Sequence, residues 1–425
     1  MQKYKLSQFN SIISISDNID VAYNAYSNRF MLLRKGLMKA NLSEMVSNLE
    51  LKDALVKGGF VIDKSINEIE KVKELSRKID IDDEKFNLII NPTLSCNFKC
   101  WYCYETKKNK ALMSIDVLQN VKLLIKNKAP MFSLFHLAFF GGEPLLGYNK
   151  LVKPLIEYTN SICAKCNTKL IVSFTSNGYL ITDDMVKFFK INNVDNFQIT
   201  LDGNKDLHNK TRYQSKGSDS YSRILDNIKL LLENGIGVTL RLNYTDDNIN
   251  SLKEVADDIE KFNLNQLKLL YISFHQVWQN ANVDIKKEVD ITIEYFNSKG
   301  FHASVPIFNN VKCSCYADKK NNALVNYNGD VFKCTAIDFE NTKRDGVLTN
   351  AGSIVWENDS LNIRLNSKFK NRPCLKCRLL PICNGACSQK AIYYQGRDYC
   401  VFSGDEKKKD DVILDLFLNY VNCVK

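Results

Sequence analysis

Long apolar runs are missing from this chain of 425 residues. No stretch approaches the roughly 20 consecutive apolar residues that a membrane helix needs, and the N-terminus, MQKYKLSQFNSIISISDN, lacks the apolar block of a secretory signal. The net charge of +10 comes from basic residues interleaved with acidic ones, without a block of about five or six Lys or Arg. We therefore expect a cytoplasmic chain that binds neither membrane nor nucleic acid.

Histidine is scarce, with four residues, whereas cysteine is abundant, with fourteen. In a secreted protein so many cysteines would suggest disulfides, but in the reducing cytoplasm they favour ligation of a metal or a cluster. The composition, 45% hydrophobic and 25% charged, is that of a globular protein, and the length predicts two or three domains.

Residues 1–85 contain no cysteine. Alternating apolar residues in NSIISIS and VAYNAYSNRFMLL predict a hairpin, and INEIEKVKELSRKID predicts an amphipathic helix. The order of elements predicts a small module that resembles a winged helix.

Residues 86–300 alternate short apolar runs with helical periods. The runs are NLIINPT, FHLAFFGG, KLIVSFTSNG, NFQITLDG, GVTLRLNYT and LKLLYISF. Such strand–helix units predict an α/β fold with a parallel sheet, curved into a partial (β/α)6 barrel like that of TIM-barrel enzymes. Reactive loops in these folds follow the C-terminal ends of the strands.

Residues 301–425 form the third predicted domain. Its segment 313–400 holds eight of the fourteen cysteines and shows little hydrophobic periodicity. We expect ligand bonds rather than an apolar core to hold this cysteine-rich iron–sulfur domain together.

The loop TLSCNFKCWYCYE follows the first predicted barrel strand and spaces Cys96, Cys100 and Cys103 as C-x3-C-x2-C. A structural zinc site needs four protein ligands, whereas a four-iron cluster can take its fourth ligand from a bound molecule. The spacing, the location and the aromatic Tyr102 resemble the radical S-adenosylmethionine (SAM) superfamily. That resemblance implies a [4Fe–4S] cluster whose open iron binds SAM and generates a 5′-deoxyadenosyl radical.

The same resemblance implies SAM contacts at the ends of the following strands. The residues that match are Tyr102, Gly141, Gly142, Glu143, Ser176, Asn177, Thr200, Asp202, Arg212 and Asn243. By the family pattern, Glu143 meets the SAM amine and Arg212 its carboxylate, and both side chains suit these partners chemically. Asp202 either contacts the cofactor or caps its loop, and His208 is either structural or catalytic.

The C-terminal cysteines resemble the SPASM domain, a module with two auxiliary [4Fe–4S] clusters, which brings the implied total to three. The implied outer-cluster ligands are Cys374, Cys377, Cys383 and Cys400, and the inner-cluster ligands are Cys315, Cys334 and Cys387. Either Cys313 or a substrate cysteine completes the inner set. Two zinc knuckles, CLKC and CNGAC, are the alternative.

Both modules together resemble radical SAM/SPASM maturases of ribosomally made peptides. This implies an enzyme that forms a thioether or another C–C or C–X crosslink, with residues 1–85 recognising the leader of a precursor peptide and a flavodoxin- or ferredoxin-like protein donating electrons. The alternatives are formylglycine formation, as in anaerobic sulfatase maturases, and a non-catalytic zinc-binding peptide adaptor. Thr335 stands where the sulfatase maturases place an acidic residue.

Overall fold

The computed structural model describes residues 3–39, 42–105, 111–281, 283–305, 314–340, 342–385, 387–394 and 397–424. They divide into two compact units. The first comprises Met1–Asp82, Ile307–Lys320 and Asp359–Lys425, and the second comprises Asp83–Pro306 and Asn321–Asn358. Among the described residues, no helix has the length and apolarity to cross a membrane.

The N-terminal part of the first unit contains the segment that we predict to resemble a winged helix. Its strands are β1 (Tyr4–Leu6), β2 (Asn10–Ser14), β3 (Ile19–Asn24), β4 (Arg29–Arg34) and β5 (Val61–Asp63), and its helices are α1 (Leu42–Ser47), α2 (Leu49–Gly58) and α3 (Glu68–Ile81), with a 3₁₀ turn at Leu37–Lys39. The sheet order is β2-β3-β4, and β1 pairs with β5, all antiparallel.

The segment VAYNAYSNRFMLL differs from the prediction because it forms two strands, β3 and β4, instead of one arm of a hairpin. The side chain of Asn24 accepts hydrogen bonds from the backbone N–H groups of Tyr26 and Ser27, and Asn28 adopts a φ of 54°. These polar residues stabilise a tight turn in the middle of the apolar segment.

The second unit contains one sheet of eleven strands. They are β6 (Lys85–Ile90), β7 (Leu134–Phe139), β8 (Lys169–Ser176), β9 (Val194–Leu201), β10 (Gly237–Tyr244), β11 (Leu270–Gln276), β12 (His302–Ser304), β13 (Asn322–Val325), β14 (Asp330–Phe332), β15 (Gly346–Leu348) and β16 (Ile354–Trp356). Strands β6 to β12 are parallel and adjacent in chain order, β13 lies parallel beside β6, and β14 to β16 continue antiparallel.

Helices follow the parallel strands of this sheet. They are α4 (Ile115–Lys128), α5 (Lys153–Cys166), α6 (Asp183–Ile191), α7 (Lys205–Thr211), α8 (Ser220–Glu233), α9 (Leu252–Ile259), α10 (Leu264–Leu267) and α11 (Lys286–Ser298), with 3₁₀ turns at Ala129–Met131, Pro144–Gly147, Ile249–Ser251 and Trp278–Asn280 and a π-helical turn at Tyr148–Val152. The α/β fold with a partial (β/α)6 barrel is thus confirmed.

Apolar residues between the strands and helices form the core of the second unit. Phe174 on β8 stacks on Phe139 of β7 and on Phe197 of β9, with ring centroids 4.8 Å and 4.5 Å apart. This aromatic ladder fixes three neighbouring strands against each other, so the loops at their C-terminal ends are held in a constant arrangement.

The cysteine-rich segment of the first unit is helical and has an apolar core. Its helices are α12 (Ser360–Leu365), α13 (Arg372–Leu375), α14 (Leu380–Cys383), α15 (Ser388–Tyr394) and α16 (Glu406–Val424), after a 3₁₀ turn at Tyr316–Asp318. Leu380 and Ile413 are buried in one cluster with Phe9, Tyr23 and Val72 of the N-terminal module. The expectation that ligand bonds replace an apolar core here is therefore wrong, whereas the three-domain division 1–85, 86–300 and 301–425 stays a prediction.

Candidate active site

The three-cysteine loop lies between β6 and α4. Cys96, Cys100 and Cys103 line one cavity of the second unit. The backbone N–H of Phe98 lies 3.4 Å from the Cys96 sulfur, and Asn177 Nδ2 approaches it to 3.8 Å. Three thiols that share a cavity have the donor chemistry of an iron–sulfur cluster, and the N–H groups near the Cys96 sulfur suit a thiolate ligand.

The glycines after β7 allow close approach to this loop. A Cβ atom at Gly142 would lie 2.2 Å from the carbonyl oxygen of Ser95, and one at Gly141 would lie 2.5 Å from that of Thr93. The N–H of Gly142 donates to the Thr93 carbonyl at 3.2 Å, and the N–H of Glu143 donates to that of Ser95 at 2.8 Å. In this structure the glycines bring the strand end and the cysteine loop together.

Glu143 is fully buried and connects the ends of two strands. Its carboxylate accepts hydrogen bonds from Ser176 Oγ at 2.9 Å, from the N–H of Asn177 at 2.8 Å and from the N–H of Leu145 at 3.0 Å. Burial raises the pKa of Glu143, and the donors from Asn177, Leu145 and Ser176 oppose that shift. Its role toward the SAM amine stays a prediction.

Tyr102 is the centre of a buried polar network. Its hydroxyl donates to Asp202 Oδ2 at 2.6 Å and accepts from Arg212 Nη1 at 2.7 Å and from Asn243 Nδ2 at 3.1 Å. Arg241 Nε in turn donates to Asn243 Oδ1 at 2.8 Å. Side chains from the cysteine loop and from the ends of β9 and β10 thereby fix one another.

Burial and the neighbouring charges shift the pKa values of this network. Burial raises the pKa of Tyr102 well above its usual value; the charge of Arg212 opposes this shift and the charge of Asp202 adds to it, so the phenol keeps its proton. Burial raises the pKa of Asp202, and Arg212 opposes this. Burial alone would lower the pKa of Arg212, but Tyr102, Cys100 and Asp202 raise it well above its usual value.

His208 lies behind the site rather than in it. The backbone N–H of Asp202 donates to its Nδ1 at 3.2 Å, and its ring packs edge-on against Tyr221 with centroids 5.6 Å apart. Burial, followed by Arg212, holds the pKa of His208 well below its usual value, so the ring is neutral. These contacts favour the structural role.

Eight of the ten predicted SAM contacts line the cavity of the three cysteines. They are Tyr102, Gly141, Gly142, Ser176, Asn177, Thr200, Arg212 and Asn243. Glu143 and Asp202 hydrogen-bond to members of this group. Arg212 Nε is buried without a partner among the described residues, which fits an anionic group such as the SAM carboxylate.

Several other residues of the cavity were not predicted from the sequence. Gln198 and Arg241 stand two positions before Thr200 and Asn243 on the same strands, and Trp278 and Gln279 follow β11. Because alternate residues of a strand face the same side, the period of two could have identified Gln198 and Arg241.

A second cavity, in the first unit, contains the predicted outer-cluster ligands. Cys374, Cys377, Cys383 and Cys400 all line it. Asn371 Nδ2 donates to the Cys374 sulfur at 2.9 Å, and the N–H of Phe402 lies 3.4 Å from the Cys400 sulfur. Four thiols in one cavity, two of them near N–H donors, are a suitable ligand set for a [4Fe–4S] cluster.

The predicted inner-cluster ligands are divided between the two units. Cys315 and Cys387 are exposed in the first unit, and Cys334 is buried in the second. Cys313 lies outside the described residues. In the described part of the chain, no three His, Cys, Asp or Glu side chains are arranged to hold one metal ion. The inner ligand set stays a prediction.

Residues 90–259 match the Radical SAM superfamily. The chain contains a radical SAM domain. The matched residues include the three-cysteine loop and every predicted SAM contact. The cavity that these residues line therefore lies in a domain whose family binds a [4Fe–4S] cluster and SAM.

Several known proteins are similar to this radical SAM chain. A cysteine-type anaerobic sulfatase-maturating enzyme of Clostridium novyi (strain NT) is 31% identical over 156 residues, which are 35% of this chain and 41% of that protein. The structure of native anSMEcpe with bound AdoMet matches with a TM-score of 0.58 and 21% identity, covering 80% of this chain and 100% of that one. Streptococcus suis SuiB bound to precursor peptide SuiA matches with a TM-score of 0.55 and 15% identity, covering 93% and 97%.

Proposed function

We propose that this radical SAM enzyme modifies a ribosomally made precursor peptide and forms a thioether or another C–C or C–X crosslink in it. The observation that carries the proposal is the single cavity in which Cys96, Cys100 and Cys103 meet the predicted SAM contacts. A cavity with a thiol cluster at one side and polar strand ends around it suits radical formation out of contact with bulk water.

Residues of this chain have distinct tasks in that reaction. The cluster and SAM, when bound, would supply the radical that takes one hydrogen atom from the peptide, and the second electron lost on crosslinking would pass to an auxiliary cluster while a proton leaves to solvent. Cys96, Cys100 and Cys103 would ligate the cluster, Arg212 and Thr200 would hold the SAM carboxylate, and Ser176 and Asn177 would hold the ribose. Tyr102 positions Arg212 through its hydroxyl, since the two groups are 2.7 Å apart.

A precursor peptide as substrate is supported by the extent of the structural similarity. SuiB, whose structure contains the precursor peptide SuiA, matches 93% of this chain, whereas anSMEcpe matches 80%. The antiparallel sheets of the N-terminal module end in edge strands, and a leader peptide can add a strand to the edge of such a sheet. We therefore assign residues 1–85 to leader recognition and propose SPASM auxiliary clusters for residues 301–425.

Formylglycine formation is the second candidate, because the relative with 31% identity is a sulfatase-maturating enzyme. Against it stands Thr335, which offers no acidic side chain at the position predicted for the base. Its backbone carbonyl accepts a hydrogen bond from the hydroxyl of Tyr104 at 2.8 Å. A threonine hydroxyl is a poor general base at neutral pH, so peptide crosslinking is the better proposal.

Cofactor content and compartment complete the proposal. Three [4Fe–4S] clusters, each held by thiolates that oxygen damages, suit a reducing cytoplasm. A flavodoxin- or ferredoxin-like protein would supply the electron for SAM cleavage.

The test starts with anaerobic reconstitution and counting of iron and sulfide. Zinc without sulfide would reject both enzymatic functions in favour of a zinc-binding adaptor. The enzyme is then incubated with SAM, a reductant and the precursor peptide encoded beside its gene. Loss of two hydrogen atoms from a peptide that does not react with an aldehyde reagent supports crosslinking, whereas a product trapped by that reagent supports formylglycine formation. Cys100→Ala, which removes one cluster ligand, should produce no 5′-deoxyadenosine.

A further inference from the structure

Arg241 is a positively charged residue of the active-site cavity, and the proposed formation of the radical assigns no role to it. It lies on β10 and lines the cavity together with Gln198, Tyr104 and Trp278. Its Nε donates to Asn243 Oδ1 at 2.8 Å, which fixes the orientation of the guanidinium plane.

The other edge of this guanidinium is open to a ligand. In the described part of the chain, the two Nη groups of Arg241 make neither a hydrogen bond nor an ion pair. Burial lowers the pKa of Arg241, although nearby Tyr102, Tyr104 and Asp202 oppose the shift. Arg241 is half-buried and remains charged, so an anion that enters the cavity would find a cationic partner there.

The two arginines that line the cavity differ in the contacts that their side chains make. Arg212 donates through Nη1 to Tyr102 and lies with its guanidinium carbon 5.8 Å from the centre of the Phe98 ring. The nearest carboxylate of the network, Asp202, accepts the hydrogen bond of Tyr102 instead of pairing with Arg241. Arg241 therefore has a free, planar pair of donors, the geometry that binds a carboxylate with two parallel hydrogen bonds.

We propose that Arg241 binds a carboxylate of the peptide substrate, from an acidic side chain or the C-terminus, next to the residue that is modified. This deepens the proposed function and rests on it. The carboxylate of SAM has the same chemistry, so the experiment must distinguish the two sources.

The probes are N-acetylglutamate amide, which carries one side-chain carboxylate, and its neutral isostere N-acetylglutamine amide. Each is titrated by NMR into the cluster-loaded enzyme with SAM and without reductant. We expect the wild type to bind the glutamate probe about tenfold more tightly, because a hydrogen bond to a charged group contributes about 1.5–3 kcal/mol. Arg241→Gln should abolish this preference, and Arg241→Lys should retain part of it.

The control is Arg344→Gln, which removes an exposed arginine that pairs with Asp330 and Glu357. It should leave the preference unchanged. Equal binding of both probes by the wild type, or an unchanged preference in Arg241→Gln, would overturn the inference. So would a tenfold loss of SAM affinity in Arg241→Gln, because Arg241 would then hold SAM. Failure of the wild type to cleave SAM when reductant is added would reject the proposed function separately.

Discussion

At the residue scale, Gly142 limits the side chains that its position can carry. Its backbone conformation does not require glycine, since φ is not positive there, but a Cβ atom would lie 2.2 Å from the Ser95 carbonyl oxygen and 2.4 Å from that of Leu94. Gly142→Ala should therefore push the cysteine loop away, at a cost of about 3 kcal/mol. The midpoint temperature of thermal unfolding and the iron content after reconstitution would both decrease.

The matched control for this substitution is Gly147→Ala, also after β7. A Cβ atom there meets Leu151 Cδ1 at 3.0 Å, and this methyl group at the end of a flexible side chain can move. The variant should retain the iron content of the wild type. If both variants lost iron equally, the close approach of Gly142 to the loop would not be the cause.

Tyr102 illustrates which parts of the site the sequence can predict. Its position before Cys103 indicated a SAM contact, and the structure places it in the cavity. Its hydrogen bonds to Asp202, Arg212 and Asn243 could not be predicted, because those partners are 100 or more positions away in the chain. Family motifs identify the individual residues, whereas the folded sheet determines which of them touch.

At the element scale, the barrel strands were predictable because short segments rich in apolar residues alternate with helical periods. The segment GVTLRLNYT, for example, contains β10, Gly237–Tyr244, in which Val238, Leu240 and Leu242 are buried and alternate with less buried residues. The turn between β3 and β4 was missed because its signal is the local hydrogen bonding of Asn24, which apolar periodicity does not include.

His136 on β7 makes the sheet sensitive to acid. Its Nε2 lies 2.8 Å from Ser173 Oγ on β8, and burial, followed by the charge of Lys85, lowers its pKa to about 4. The unfolded chain, with a pKa near 6.5, binds the proton first. The stability due to neutral His136 is therefore complete above about pH 6.5 and decreases as the pH falls toward 4.

We expect His136→Gln to weaken this acid sensitivity. The wild type should lose about 1 kcal/mol through His136 between about pH 7.5 and pH 5.5, and the variant should lack that part of the decrease. Urea unfolding at several pH values measures it. His302→Gln changes an exposed histidine and serves as control. An identical pH dependence in wild type and His136→Gln would contradict the prediction.

At the scale of the whole molecule, a buried ion pair connects three distant segments of the first unit. Lys368 Nζ lies 2.7 Å from Asp80 Oδ2 and 3.3 Å from Asp318 Oδ2, and its side chain is 3% exposed. Lys368→Ala would leave two buried carboxylates without their cation. We expect a loss of about 3–5 kcal/mol in the free energy of unfolding, measured by urea titration.

Lys370→Ala is the control for Lys368, because it removes an exposed lysine from the same segment. It should change the stability by less than about 0.5 kcal/mol. Comparable losses in both variants would show that the buried pair contributes nothing of its own.

Deletion of the N-terminal module tests leader recognition. It should also lower the iron content, because the module and the cysteine-rich segment share one apolar core. Phe9, Tyr23 and Val72 are buried against Leu380 and Ile413 of the cysteine-rich segment, a packing that periodicity within either segment could not reveal. Without residues 1–82 this segment would expose its apolar core, and the iron content should fall by about four per chain, one outer cluster.

SAM cleavage without peptide should persist in the deletion variant, because Cys96, Cys100 and Cys103 and the rest of their cavity belong to the second unit. Modification of a leader-bearing peptide should be lost. A sharper test of the leader is Leu32→Arg, which changes a 60% exposed residue of β4 and leaves the shared core intact. If this variant retained all its iron and still bound the leader as tightly as the wild type, the exposed side chain on β4 would have no part in recognition.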